Sequence, residues 1–231
     1  MCGRYVQTKR ARDHAQLLVM REEMEAPRPE TWNLAPSTRS LVVLAKAEIL
    51  TTDWLSWGFQ RSTDPTVRPN NARVETARSK PFFRDAWNTR RCVIPADGWY
   101  EWKSAGGAKQ PYYFHLRKEE PLFFAGIWEG RTFALLTTSA DGELSLIHDR
   151  RPVAFGQDNA REWIMEIPQS GDSVSRKIVP AAEIAFHPVS TRVNKPINDG
   201  PELIQPIAVS DGPRQDELPW MPWMVSLRRR S

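Results

Sequence analysis

Residues 91–138 read RCVIPADGWYEWKSAGGAKQPYYFHLRKEEPLFFAGIWEGRTFALLTT. Within this stretch Arg91–Ile94, Trp99–Lys103, Tyr112–Leu116, Leu122–Trp128 and Phe133–Thr138 are rich in β-branched and aromatic residues, and turn signals such as Gly106-Gly107 separate them. That spacing predicts five successive strands in a β meander. Upstream, Leu41–Leu44 and Glu48–Leu50 predict a hairpin and Trp54–Phe59 a third strand, while Glu183–Val189 predicts a late one. Helices are expected between them. Thr8 caps one that runs to about Glu25 before Pro27 and Pro29; Ser79 and Pro81 start another, with Phe82, Phe83, Ala86 and Trp87 on one face; Asp158 caps a third, carrying Ala160, Trp163 and Ile164. Antiparallel strands in succession with helices inserted, and no β-α alternation, predict an α+β fold. The expectation is a single domain over residues 1–209, built on a strongly curved, mainly antiparallel β-sheet or barrel-like core with flanking helices. From about Ser210 the composition turns to Asp, Pro, Gly and Arg, so residues 210–231 are expected to form a flexible tail.

The chain has 231 residues, 40% hydrophobic and 26% charged, which places it among soluble globular proteins. It holds no run of roughly 18 apolar residues, and MCGRYVQTKR has no signal-peptide core, so a cytoplasmic protein without a membrane partner is expected, acting at the nucleoid if the host is bacterial. Two cysteines and four histidines without paired spacing predict no disulfide framework, no metal and no cofactor. A net charge of +4 permits a nucleic-acid partner without requiring one. Ten Trp residues serve either as core or as faces for unpaired bases.

Cys2 stands directly after Met1 and before the small Gly3. Removal of Met1 leaves an N-terminal cysteine with an amine of pKa about 7.7–8.0 and a thiol near about 8.5. A 1,2-aminothiol does what an internal cysteine cannot: its amine condenses with an aldehyde, and its thiol then closes a five-membered thiazolidine by an intramolecular step. An N-terminal-nucleophile hydrolase, such as a glutamine amidotransferase or thiol peptidase, also begins with such a cysteine. The glutamine-binding version needs an Asn-Gly element, and the chain contains no Asn-Gly dipeptide.

Further motifs accompany that terminus. Met1-Cys2-Gly3-Arg4, Trp32-Asn33-Leu34-Ala35-Pro36, Trp57-Gly58 and Asn71-Ala72-Arg73-Val74-Glu75-Thr76 are followed by CVIPADGWYEWK over 92–103, Lys109-Gln110-Pro111, IHDRRP over 147–152, HPVS over 187–190 and ELIQP over 202–206. In this order, over about residues 1–207, they resemble the SRAP family. The resemblance implies capture of abasic sites in single-stranded DNA as a thiazolidine crosslink to Cys2, lyase-like Schiff-base chemistry, autopeptidase removal of Met1, and a monomeric protein. It implies an active set of Cys2, Asn71, Glu101 and His148. Glu101, among Trp99, Tyr100 and Trp102, would be a desolvated carboxyl raised toward neutrality; on a simple alternating strand it would instead face outward. His148 would donate a proton to the sugar, oriented by Asp149, and Asn71 would steer the amine. Arg4, Arg73 and Arg150 fall where the family meets phosphate, with a local ion pair as the competing role, notably Arg73 with Glu75. Trp57 falls where a base would stack, with sheet packing as the competing role, and Asn33, Pro36 and Thr137 fill secondary positions along the strand path. His14, His115 and His187 read as structural or solvent-exposed histidines. Ser37 stands where many members have Gly. A non-covalent single-strand binding module is the remaining alternative.

Overall fold

The structure is a computed structural model and describes residues 2–19, 29–61, 63–64, 66–105, 108–118, 120–167 and 170–208. The expected tail over 210–231 and the expected end of the first helix near Glu25 lie outside the described residues.

The chain runs through β1 (Arg4–Gln7), α1 (Lys9–Val19), β2 (Thr31–Leu34), β3 (Arg39–Lys46), β4 (Ile49–Trp57), β5 (Asn71–Arg73), α2 (Val74–Ala77), α3 (Arg84–Thr89), β6 (Arg91–Ala96), β7 (Gly98–Ala105), β8 (Ala108–Leu116), β9 (Leu122–Glu129) and β10 (Thr132–Ser139). Then follow β11 (Arg150–Pro152), β12 (Ala154–Phe155), α4 (Gln157–Met165), α5 (Gly171–Ser175) and β13 (Ile184–Pro188). Strands β4, β3, β6 and β9 pair antiparallel in that order, β9 pairs with β10, and β10 returns parallel to β4. The ring closes into a five-stranded barrel, with β5, β11 and β12 added at its margins. A second sheet has the order β13-β8-β7-β1-β2. The α+β class and the curved, barrel-like core are therefore present.

Two expectations change. The five strands of residues 91–138 all form, yet they are no meander: β6 belongs to the barrel, between β3 and β9, while β7 belongs to the second sheet, between β1 and β8. The switch falls at Asp97-Gly98, where a Cβ on Gly98 would come 2.2 Å from the Phe114 carbonyl oxygen, so only glycine lets the backbones approach there. The strands expected at Glu48–Leu50 and Trp54–Phe59 are one, β4, because the polar Asp53 between them is buried in the sheet and paired with Lys46 and Arg131. In α4, Gly156 takes the cap position and Asp158 sits in the first turn.

Alternation sorts the core. Leu41 and Val43 of β3 face α1, α4 and their neighbours, whereas Val42 and Leu44 join Tyr5, Trp99 and Phe114 of the second sheet. Strands buried on both faces read as continuous apolar runs. The outer side of the second sheet carries a third cluster, including Val6, Tyr100 and Tyr113.

Candidate active site

The N-terminal strand β1 is an inner strand, flanked by β7 and β2. Arg4 pairs with Tyr100 in antiparallel register, so continuing the ladder by one residue sets Gly3 opposite Glu101 and brings the chain start alongside that carboxyl. On β7, Trp99 and Glu101 are two apart and share the side facing the barrel, while Tyr100 faces the outer cluster. Glu101 is thus an inward residue, 2% exposed. Burial, reinforced by the Asp149 carboxylate, pushes its pKa up to about 8. The outward alternative for this residue is excluded by its place between the sheets.

His148 follows a short 3-10 helix, Gly142–Leu146, and its Nε2 lies 3.8 Å from Glu101 Oε2. Its Nδ1 accepts the Arg150 amide N–H at 3.0 Å and also lies 2.9 Å from an oxygen of Asp149, whose side chain is 84% exposed. The amide is fixed and can only donate, whereas the Asp149 carboxylate is free to turn, so the neutral ring carries its proton on Nε2, toward Glu101. Burial lowers the His148 pKa. At neutral pH the site therefore pairs a carboxyl that keeps its proton, against its ordinary state, with an imidazole held neutral. Such crossed environments mark acid-base chemistry.

Cys2 completes the group. Asn71, at the start of β5, donates from Nδ2 to the Cys2 carbonyl oxygen at 2.8 Å, and β5 is held there by parallel pairing of Asn71 with Leu135 of β10. The amide oxygen of Asn71 is buried and has no hydrogen-bond partner among the described residues. Cys2 itself is fully buried in the chain that carries Met1; burial first, then the nearby Glu101 carboxyl, push its thiol pKa well up. Cys2, Asn71, Glu101 and His148, far apart in sequence, are brought together. Among the described residues no group of three or more His, Cys, Asp or Glu is placed to hold a metal ion, and no helix is long and apolar enough to cross a membrane.

Several of the residues read as strand contacts have partners within the protein. Arg4 donates to Asn33 Oδ1 at 2.9 Å and to the carbonyls of Val193 and Asn194, and the buried Asn33 donates to the carbonyls of Val193, Lys195 and Asn198. Together they fasten the 193–198 loop to the start of β1. Arg150 is buried and bidentate to Glu75 at 2.8 and 2.9 Å, with a third bond to the carbonyl of the buried Thr137. The partner of Glu75 is therefore Arg150, not Arg73, which is exposed at the end of β5. Trp57 has no exposed surface: it packs on Tyr5 and Phe133 and donates to the Asn70 carbonyl, so packing is its role here. Pro36 is half-buried in a turn whose next residue, Ser37, has φ of +68°. The sequence reading missed Glu75 as the Arg150 partner, and its only trace was an acidic residue in the first turn of α2.

The chain matches the model of the SOS response associated peptidase (SRAP) family over residues 1–196. It is 36% identical over 222 residues to the abasic site processing protein YedK of Escherichia coli, covering 90% of this chain and all of that one. To the abasic site processing protein HMCES of Gallus gallus it is 34% identical over 190 residues, covering 66% of this chain and 56% of that longer relative. A crystal structure of a Bacteroides thetaiotaomicron protein shares the fold, with a TM-score of 0.75, 20% identity, and coverage of 90% of this chain and 100% of the other. A phage-related protein from Bordetella bronchiseptica aligns with a TM-score of 0.67 and 31% identity, over 81% of this chain and 94% of its own. On this match in sequence, and on four motif residues gathered at one N-terminus, the chain belongs to the SOS response associated peptidase (SRAP) family.

Proposed function

We propose that this protein processes abasic sites in single-stranded DNA by trapping the open-chain aldehyde as a thiazolidine on Cys2. The observation that carries the reading is the meeting of Cys2 with Asn71 and with the Glu101–His148 pair. The relatives named abasic site processing proteins support the substrate.

Loss of Met1 comes first, because it creates the amine on Cys2. Glu101, protonated at neutral pH, gives a proton to the sugar ring oxygen as the C1′–O bond breaks; the hemiacetal hydroxyl releases its own proton, leaving the aldehyde and restoring the acid. The His148 Nε2–H hydrogen-bonds oxygen as charge develops there. The Cys2 amine adds to C1′, the resulting hydroxyl leaves as water with the Glu101 proton, and the nitrogen returns its remaining proton to the Glu101 carboxylate, leaving the imine. The thiol sulfur then bonds C1′ and its proton passes to nitrogen, closing the ring. One water is lost overall and no oxidant is consumed. Closure is intramolecular and outruns β-elimination, the route by which an imine would cut the strand.

The test is incubation of the full chain, with Met1 loss verified by intact mass, with an abasic single-stranded oligonucleotide, read by denaturing electrophoresis. The expected product is a denaturant-resistant adduct that Cys2→Ser replaces with weak strand cleavage. Equal stable adduct from the serine variant, or full activity with Met1 retained, overturns the proposal. A non-covalent binder would give no such band, only salt-dependent affinity.

A further inference from the structure

On the opposite side of the second sheet from Glu101 lies a cavity of about 490 Å³, bounded by Trp32, Tyr113, His115, His187 and, at its edge, Arg117 and Lys118. The β8–β13 ladder builds it: Tyr113 pairs with His187, and His115 lies two residues along the same face of β8. The two imidazole rings stand 5.6 Å apart between centroids, and Tyr113 stacks on His115 at 5.5 Å.

Each imidazole has one nitrogen engaged. His115 Nδ1 meets the Leu116 carbonyl at 2.8 Å and His187 Nε2 meets the Ile204 carbonyl at 2.8 Å. A carbonyl only accepts, so those nitrogens carry the protons, and burial lowers both pKa values and keeps the rings neutral. Among the described residues His115 Nε2 and His187 Nδ1 are left without a hydrogen-bond partner, as acceptors on two residues that line one cavity. A metal would need further ligands, and among the described residues no third ligating group joins them. A cationic ligand meets the charges of Arg117 and Lys118. Three acidic groups line the cavity and each has a partner: Asp97 accepts the Thr8 N–H and Glu30 the Lys9 N–H, both at 2.7 Å at the start of α1, and Glu120 lies 3.9 Å from Lys118, which leaves Arg117 as the cation at hand for an anionic group.

A fitting ligand brings N–H donors on a flat ring, an aromatic face for the half-buried Trp32, and an anionic group for Arg117. We infer that this cavity binds a nucleotide whose base carries an exocyclic amine, as a second site separate from Cys2. Its volume is in the range of small-ligand pockets. Arg117 donates from Nε to the Ala182 carbonyl, which holds the side chain while its terminal nitrogens remain to meet phosphate. A free nucleoside monophosphate and one nucleotide of an intact strand share this chemistry.

The test is calorimetric titration of the full chain with guanosine, adenosine, cytidine and thymidine monophosphates, and in parallel with short single-stranded oligonucleotides free of abasic sites. The amine-bearing monophosphates are expected to bind saturably, thymidine monophosphate about tenfold more weakly. His115→Phe and His187→Phe keep a ring and remove the acceptors, so each should weaken binding about tenfold, and Arg117→Ala should erase the preference for the monophosphate over the nucleoside. Tighter binding of the oligonucleotide than of the monophosphate, with the same sensitivity to both Phe variants, assigns the occupant to a strand; the reverse order assigns it to a free nucleotide. Crosslinking to abasic DNA should persist in all three variants, which shows that they fold and separates this site from Cys2. Absence of saturable binding by the wild-type chain, or binding unchanged in both Phe variants, overturns the inference. Failure of the wild-type chain to crosslink bears on the Cys2 chemistry alone.

Discussion

Replacing Glu101 with Gln keeps the shape of the side chain and removes its ionisation, so the variant isolates what this buried carboxyl costs the fold. In the native protein the carboxyl holds its proton to about pH 8, whereas its ordinary value is 4.5. Between those values the folded state binds more protons than the unfolded chain, so stability falls as pH rises. Each pH unit carries about 1.4 kcal/mol, and the whole interval about 5 kcal/mol. Below about pH 4.5 the carboxyl is protonated in both states and costs nothing; above about pH 8 it is ionised in both and the cost is constant. Glu101→Gln lacks this slope. Urea unfolding of both proteins at pH 5, 6, 7 and 8.5 should therefore show the variant gaining on the wild type by about 1.4 kcal/mol per unit through neutrality and levelling off beyond pH 8. Crosslinking to abasic DNA should fall at the same time, by about 10²–10⁴-fold, as removal of an acid-base group does. Titrations remote from the site are common to both chains and cancel in the difference. A stability difference that stays flat from pH 5 to 8.5 would refute the reasoning, because the carboxyl would then be solvated like an ordinary one.

Arg150→Ala removes a bidentate pair with Glu75 and a bond to the Thr137 carbonyl; the expected loss is about 2–3 kcal/mol by urea unfolding, discounted because Glu75 is partly exposed, and Arg150→Lys should recover less than half of it. A loss under about 1 kcal/mol would contradict the buried role. Ser37→Gly relieves a φ of +68° and should stabilise by about 0.5–1 kcal/mol, a rise of about 1–4 °C in Tm by calorimetry; an unchanged or lower Tm argues against strain there. Gly98→Ala drives a Cβ to 2.2 Å from the Phe114 carbonyl oxygen and 2.6 Å from the Tyr113 hydroxyl, and should cost at least about 3 kcal/mol. A wild-type urea midpoint for that variant would mean the switch between sheets does not depend on glycine.

The strands of residues 91–138 were legible because each is an apolar run closed by turn residues, and that signal is local. Their partners were not, because periodicity says which face a residue takes and nothing about which strand lies beside it. The departure of β7 from β6 into another sheet hinges on one close backbone approach at Gly98, which a sequence records only as a glycine in an ordinary turn. The same limit governs the site. The motif order pointed to Cys2, Asn71, Glu101 and His148, and ring neighbours suggested a raised carboxyl, but Glu101 turns inward only because β1 and the barrel cover that face of β7. Arg4, Asn33 and Arg150 matched motif positions read as strand contacts, and each also has partners within the protein, loop carbonyls and Glu75, that motif order does not reveal. A guanidinium reads identically in sequence whether it meets phosphate or a backbone oxygen. His115 and His187, 72 positions apart, gave no joint signal until β8 and β13 paired.

Chain termini usually fray, and a reaction carried out by a terminal amine is badly served by a mobile one. Here the first strand is wedged between β2 and β7, with Tyr5 and Val6 fully buried on its opposite faces. Arg4 ties the strand to the 193–198 loop, and Asn71 takes hold of the Cys2 carbonyl itself. The backbone of Cys2 is thereby positioned before any substrate arrives, with Glu101 and His148 set by the neighbouring elements. On the proposed chemistry, the entropy of ordering the nucleophile is supplied in folding and not again in each encounter with DNA. It follows that loosening the strand should impair capture even when every reacting group is intact. Arg4→Ala, far milder chemically than Cys2→Ser, should slow adduct formation without diverting it to strand cleavage, since the thiol that closes the ring is still present.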